Sequence, residues 1–245
     1  IHLAQRAFID IRRHRRPLDL AVIGHEMLDR AADAFALQAG DVVGTIVARG
    51  KEEAAGGGDK YASRKFKFVE RVEYEALRDF VVSIEGTVAG KPPAAASPVI
   101  KQKGAVFSPR VLPVAVGTTV EWPNDDDIFH NVFSISEAKE FDLGLYKHPE
   151  SKRVTFDRPG RVDILCSIHT QMSAVILVLD NPFFAKSDEQ GNYAIRGLPP
   201  GEYTVRAWHE RLPSVRRKVT VNAAGETRMD FILGPGGGPA EPARP

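Results

Sequence analysis

Short apolar runs separated by Gly- and Pro-containing breaks recur along most of the chain. Asp41-Val-Val-Gly-Thr-Ile-Val-Ala and Asp79-Phe-Val-Val-Ser-Ile-Glu-Gly have the length and β-branched content of strands. Lys65-Phe-Lys-Phe-Val alternates charged and apolar residues, as a half-buried strand does. Gly50 to Lys60 reads as a Gly-rich charged loop. Lys91-Pro-Pro-Ala-Ala-Ala-Ser-Pro reads as a linker, because prolines cannot donate to a sheet ladder. From Val99 to Asp180 the pattern predicts about seven short strands, ending with Ser173-Ala-Val-Ile-Leu-Val-Leu-Asp. After Asn181-Pro, turn chemistry becomes dense. Gly191 can supply positive φ at a hairpin corner, and Pro199-Pro-Gly makes the next turn. One stretch keeps a different period: Leu20, Ile23, Met27, Leu28, Ala31, Ala32 and Phe35 predict an amphipathic helix at about 17–38. The expected fold class is therefore all-β with a short N-terminal helix. The Gly- and Pro-rich end of the chain, 235–245, is predicted to be disordered.

Composition narrows the function classes. With 245 residues the chain fits one large or two small domains. The 33 basic and 32 acidic residues nearly cancel, so the charge balance points neither to nucleic acid nor to an acidic membrane surface. No apolar run reaches about 18 residues, so no transmembrane helix is predicted. A single cysteine allows no internal disulfide, and composition alone is silent about redox compartment. The basic cluster Arg12-Arg-His-Arg-Arg reads as a solvated face, and no function attaches to residues 1–40.

The candidate chemistry sits around that cysteine. Cys166, His169 and Met172 occur in Leu165-Cys-Ser-Ile-His-Thr-Gln-Met-Ser, directly after the strand-like Val162-Asp-Ile-Leu. A tight loop with this spacing can fold back so that three side chains converge. His130, in Ile128-Phe-His-Asn-Val-Phe, is the fourth candidate and must arrive from another strand. Singly, each residue has an ordinary explanation: a buried small hydrophobe, core filler, or a surface histidine. Together, one thiolate, two imidazoles and a thioether form the ligand set of a blue-copper electron-transfer site. Zinc accepts Cys and His but has little use for a thioether.

These residues and their flanks resemble the cupredoxins, with a short ligand loop like that of amicyanin rather than the longer one of plastocyanin. Val114-Ala-Val-Gly-Thr-Thr-Val-Glu-Trp-Pro-Asn resembles the lead into the first ligand, and Val154-Thr-Phe-Asp-Arg-Pro-Gly-Arg-Val-Asp-Ile-Leu-Cys the hairpin that delivers the thiolate. Phe141-Asp-Leu-Gly-Leu-Tyr and Trp208-His-Glu also resemble runs in bacterial methylamine-utilisation-type, plastocyanin-like proteins. The resemblance implies one type 1 copper per chain held by His130, Cys166, His169 and Met172, with Met172 as the weak axial ligand. It further implies that Asn131 donates its backbone N–H to the Cys166 sulfur and ties the two ligand loops together through its side chain. His169 should have its ring edge near solvent. Such proteins work in the periplasm or outside the cell and pass electrons to a redox protein partner, such as a c-type cytochrome or a dehydrogenase.

Ser187-Asp-Glu-Gln-Gly-Asn-Tyr-Ala-Ile-Arg-Gly-Leu-Pro-Pro-Gly-Glu-Tyr-Thr-Val-Arg-Ala-Trp resembles the carboxypeptidase-regulatory-like module, a transthyretin-like β-sandwich. Val219 to Leu233 looks like its closing hairpin. The first strands of such a module are missing just upstream, yet strand-like runs are present near 42–49 and 80–88. The expectation is a cupredoxin Greek-key β-sandwich at 97–181 inserted in a second sandwich split into 41–90 and 182–234. Weaker candidates are expected to be structural: His148 as a loop residue, His209 at the domain interface, and Asp125-Asp-Asp as a solvated turn. His2, His14 and His25 lie in the unassigned segment. A multicopper enzyme is disfavoured, because the His-x-His pairs of extra copper sites are absent. The competing function is copper storage, delivery or structural binding without an electron-carrier role.

Overall fold

The structure, a computed structural model, describes residues 39–50, 72–88 and 97–237. The expected N-terminal helix, the Gly-rich loop and the run at 65–69 lie outside the described residues.

Among the described residues two early strands, β1 (Gly40–Ala48) and β2 (Val81–Ile84), are followed by nine that form one group. These are β3 (Lys101–Gln102), β4 (Phe107–Ser108), β5 (Val111–Ala115), β6 (Thr118–Pro123), β7 (His130–Ser136), β8 (Lys139–Tyr146), β9 (Ser151–Phe156), β10 (Gly160–Leu165) and β11 (Ser173–Leu179). Six more close the chain: β12 (Phe184–Lys186), β13 (Asn192–Leu198), β14 (Gly201–His209), β15 (Leu212–Val221), β16 (Glu226–Arg228) and β17 (Phe231–Leu233). Among the described residues the helical content is a single 3-10 turn, Tyr74–Ala76, so this part of the chain is nearly all-β. The nine middle strands exceed the expected seven by the two-residue ribbon β3–β4.

In the middle group a five-stranded sheet, β5-β11-β10-β7-β8, faces the pair β6-β9. Between them lie Val120, Trp122, Val132, Phe156, Val162, Ile164, Ala174, Ile176 and Val178, all buried. Each fully buried aliphatic side chain of this kind contributes roughly 1.5–3 kcal/mol. In the other group, β1 and β2 join the C-terminal strands. One sheet places β1 between β13 and the β16–β17 segment, and the other runs β12-β2-β14-β15. Val42 lies opposite Ile195 in an antiparallel ladder, and Val47 opposite Ile232 in a parallel one. The core of this group joins Val42 and Ile46 to Ile195, Leu198, Val205, Val221, Phe231 and Leu233. Close approach is built in at Gly44, where a Cβ would collide with the Met229 carbonyl.

Strand β11 shows why the Ser173 run is apolar throughout instead of alternating. Ala174, Ile176 and Val178 face the middle core, whereas Val175, Leu177 and Leu179 pack with Val81, Val111, Trp208 and Phe184. A strand buried on both faces reads as continuous hydrophobicity. Around this second contact Arg110 pairs with Glu210 at 3.0 Å, and Arg161 donates to the Glu210 carbonyl. Trp208 is the residue of its run that reaches this contact. His209, one position on, points to the other side of β14 and packs on Phe80 with ring centroids 4.9 Å apart. The expectation that His209 lies at the domain interface is thereby corrected. Burial lowers the pKa of its ring, and Nδ1 accepts the Arg211 N–H. At the C-terminal end Gly236 donates to the Arg49 carbonyl, so the start of the segment expected to be disordered is held by the backbone after β1; 238–245 lie outside the described residues.

Candidate metal centre

Three of the four expected ligands converge. One donor atom from each of His130, Cys166 and His169 lies within 4.8 Å of the others. His130 opens β7, and Cys166 follows the end of β10, the strand beside β7 in the sheet. Leu165 is opposite Phe133, and this register brings the start of β7 next to the end of β10. His169 sits in the β10–β11 loop, where the Met172 N–H donates to its carbonyl at 2.9 Å and closes a turn. The two Nδ1 atoms of His130 and His169 are 3.0 Å apart, and His169 Nδ1 is 3.8 Å from the Cys166 sulfur. His130 is fully buried, Cys166 is buried, and His169 is partly exposed. Met172 is buried in the apolar cluster that also contains Cys166.

Asn131 donates its backbone N–H to the Cys166 sulfur over 3.5 Å. Its side chain differs from the expectation. The amide does not tie the ligand loops together but donates to Asp142 Oδ1 on β8, at 2.7 Å.

Asp126 is the site residue that sequence reasoning missed. The Asp125-Asp-Asp run reads as a solvated turn, but Asp126 Oδ2 lies 2.8 Å from His130 Nε2. The backbone N–H groups of Gly104 and Ala105 donate to the same carboxylate, at 2.8 and 3.0 Å. Burial alone would raise the Asp126 pKa. The Ala105 and Gly104 N–H groups and His130 outweigh it, and hold the carboxyl at about 2. The carboxylate can only accept, so His130 Nε2 carries a proton, and in the neutral ring Nδ1 keeps its lone pair for the cluster. The available signal was the four-residue spacing of Asp126 and His130. Asn124, also buried, shapes this loop by donating to the Ile128 and Tyr146 carbonyls and accepting the Asp126 N–H. His148 is an exposed loop residue whose N–H donates to the Asp126 carbonyl.

Exposed apolar residues flank the ligands along the chain and in the ladder. Ile128 and Phe129 precede His130, Ile168 precedes His169, and Leu145 lies opposite Asn131; all four are 49–55% exposed.

The donor set fits a metal ion. Donors about 2.0–2.3 Å from a shared ion stand roughly 3.5–3.8 Å apart when they surround it in a plane. Two of the three separations, 3.0 and 3.8 Å, lie near this range, and all three donors stand within 4.8 Å of one another. A lone pair on His130 Nδ1 facing a second ring nitrogen also requires a proton or a cation between them.

Comparisons with known proteins found one family-model match and several solved structures of partial coverage. Residues 172–234 match the carboxypeptidase regulatory-like domain family. Among solved structures, a copper-containing nitrite reductase (NirK) from Thermus scotoductus SA-01 is 29% identical over 40% of this chain, with a TM-score of 0.34. The match spans 26% of that reductase's length. A purple cupredoxin from Nitrosopumilus maritimus is 29% identical over 33% of this chain and 98% of its own, with a TM-score of 0.30. A copper(I) mutant form of amicyanin is 22% identical over 40% of this chain and 97% of its own, at 0.32. No curated protein matches the chain.

Proposed function

We propose that the chain is a type 1 copper protein that carries single electrons between redox partners outside the cytoplasm. The observation that carries this reading is the convergence of His130, Cys166 and His169 with the His130 tautomer set by Asp126. Met172 is proposed as the weak axial ligand, from its place at the end of the ligand loop and in the Cys166 cluster. Copper held there supplies a one-electron couple. The chain does the rest. Cys166 binds as the thiolate. Asp126 keeps the proton on His130 Nε2. The Asn131 N–H withdraws charge from the sulfur. Two neighbouring strands hold His130 and Cys166, so the donors move little between redox states.

The exposed Ile128, Phe129, Leu145 and Ile168 around the partly exposed His169 suit brief docking of a redox protein, such as a c-type cytochrome or a dehydrogenase. No further catalytic cluster is proposed, and the chain is read as a carrier instead of an enzyme.

The architecture proposed with this function is a cupredoxin at 97–181 inserted into a carboxypeptidase-regulatory-like sandwich of 41–90 and 182–234. It is supported by the ladders of β1 with β13 and of β2 with β14, which span the intervening strands. Titration of the metal-free protein with Cu(II) tests the functional reading. The expected result is one equivalent bound, an intense thiolate-to-copper visible band and narrow copper hyperfine splitting in EPR. A colourless adduct with ordinary tetragonal EPR parameters overturns it. Tight binding with the band but no reversible redox couple favours storage over transfer.

A further inference from the structure

The run Phe141-Asp-Leu-Gly-Leu-Tyr has no ligand in it, yet it builds the strand behind the cluster. Opposite Asn131 the β7–β8 ladder slips. Asn131 pairs with Leu145, but Phe133 pairs with Asp142, so β8 carries one extra residue. Gly144 sits in this bulge at φ +67°, a conformation that favours glycine. The slip turns the Gly144 N–H onto Asp142 Oδ1 at 2.8 Å, the same oxygen that accepts the Asn131 side chain. Lys152 donates to the Leu143 carbonyl within the bulge and lies over the Tyr146 ring. Asn131 itself is buried, and its Oδ1 has no hydrogen-bond partner among the described residues. Asp142 is therefore the hydrogen-bond anchor of that side chain.

We infer that Asp142 is a positioning residue of the metal centre. Through Asn131 it holds the backbone N–H on the Cys166 sulfur, and so moderates how much charge the thiolate gives to the bound metal. The bulge at Leu143 and Gly144 exists to aim the carboxylate. This inference rests on the copper reading for its effect on potential, but not for the bracket itself. Two variants separate the hydrogen bond from the charge. Asp142→Asn loses the charge and keeps an oxygen in place; Asp142→Ala loses both. Asp142 is exposed, so neither change opens a cavity.

The first measurement is amide hydrogen exchange in the metal-free protein, comparing Asn131 with Val162 and Ile164 on β10. Asp142→Ala should speed Asn131 exchange severalfold to about tenfold relative to those controls, the range for one lost hydrogen bond. Asp142→Asn should restore it. The second is the potential of the copper-loaded variants. Asp142→Ala should lie below Asp142→Asn, because a thiolate without its N–H donor favours Cu(II). Equal Asn131 exchange in the two variants overturns the inference, as does acceleration shared equally by Val162 and Ile164. Changed exchange with equal potentials overturns the coupling to the metal. If the wild type lacks the thiolate–copper band, the copper reading fails, while the exchange comparison still decides the role of Asp142.

Discussion

Replacing Asp126 with alanine isolates the contribution of the carboxylate behind His130. The side chain accepts three donors: His130 Nε2–H and the N–H groups of Gly104 and Ala105. The two backbone groups belong to a surface turn that water can reach. His130 is fully buried, so Asp126→Ala leaves its Nε2–H without an acceptor. Orphaning such a donor costs about 1–3 kcal/mol. It also frees the ring to take the other tautomer, which puts the proton on the atom proposed to bind copper. Loss of a hydrogen-bonding partner behind a metal-ligating histidine weakens metal binding roughly 10–100-fold. A factor of ten is about 1.4 kcal/mol, so the two magnitudes agree. Copper competition against a chelator of known affinity, for wild type and Asp126→Ala, measures the effect. Affinity unchanged within about threefold refutes the assigned role. The same carboxylate gives a pH signature. Its folded pKa of about 2 lies below the ordinary 3.8. It therefore adds stability above 3.8, and that stability is lost as pH falls toward 2. Acid unfolding of the metal-free wild type should be steeper across this window than that of Asp126→Ala.

Three further outcomes are expected. Met172→Leu should keep the visible thiolate–copper band and raise the reduction potential, whereas Cys166→Ala should abolish the band; an unchanged potential in Met172→Leu removes Met172 from the ligand set. Gly44→Ala should destabilise the protein by several kcal/mol in urea unfolding, of the order of 3 or more, because its Cβ collides with the Met229 carbonyl of the paired C-terminal segment. A shift below about 1 kcal/mol argues against that close approach. Excision of 97–181 uncovers Val111, Val175, Leu177 and Leu179, which the other group of strands covers. The fragment should self-associate in sedimentation at concentrations where the whole chain does not, and a monodisperse, unaggregated fragment refutes the importance of this contact.

The β-rich character of the chain was legible because strand length, β-branched content and turn residues are local properties. The candidate ligands were legible for a chemical reason. Thiolate, imidazole and thioether side chains are uncommon, and Cys166, His169 and Met172 fall on one loop. Other features depended on distance in the chain. Asp126 sits among three acids in a turn, a pattern that is solvated in most proteins; what distinguishes it is a turn 21 positions earlier that delivers two N–H groups to it. The role of Asp142 required the slip between β7 and β8, which no local pattern encodes. The Ser173 to Leu179 run is continuously apolar, but hydrophobicity has no direction, and the sequence could not say that both faces are buried or that Trp208 and Val81 cover the outer one. Adjacent residues of one strand point oppositely, so the same run that sends Trp208 to that contact sends His209 away from it. Side-chain chemistry and local periodicity were thus carried by the sequence. Which strand lies beside which was decided only by tertiary pairing, because ladder hydrogen bonds are made by backbone groups that every residue shares.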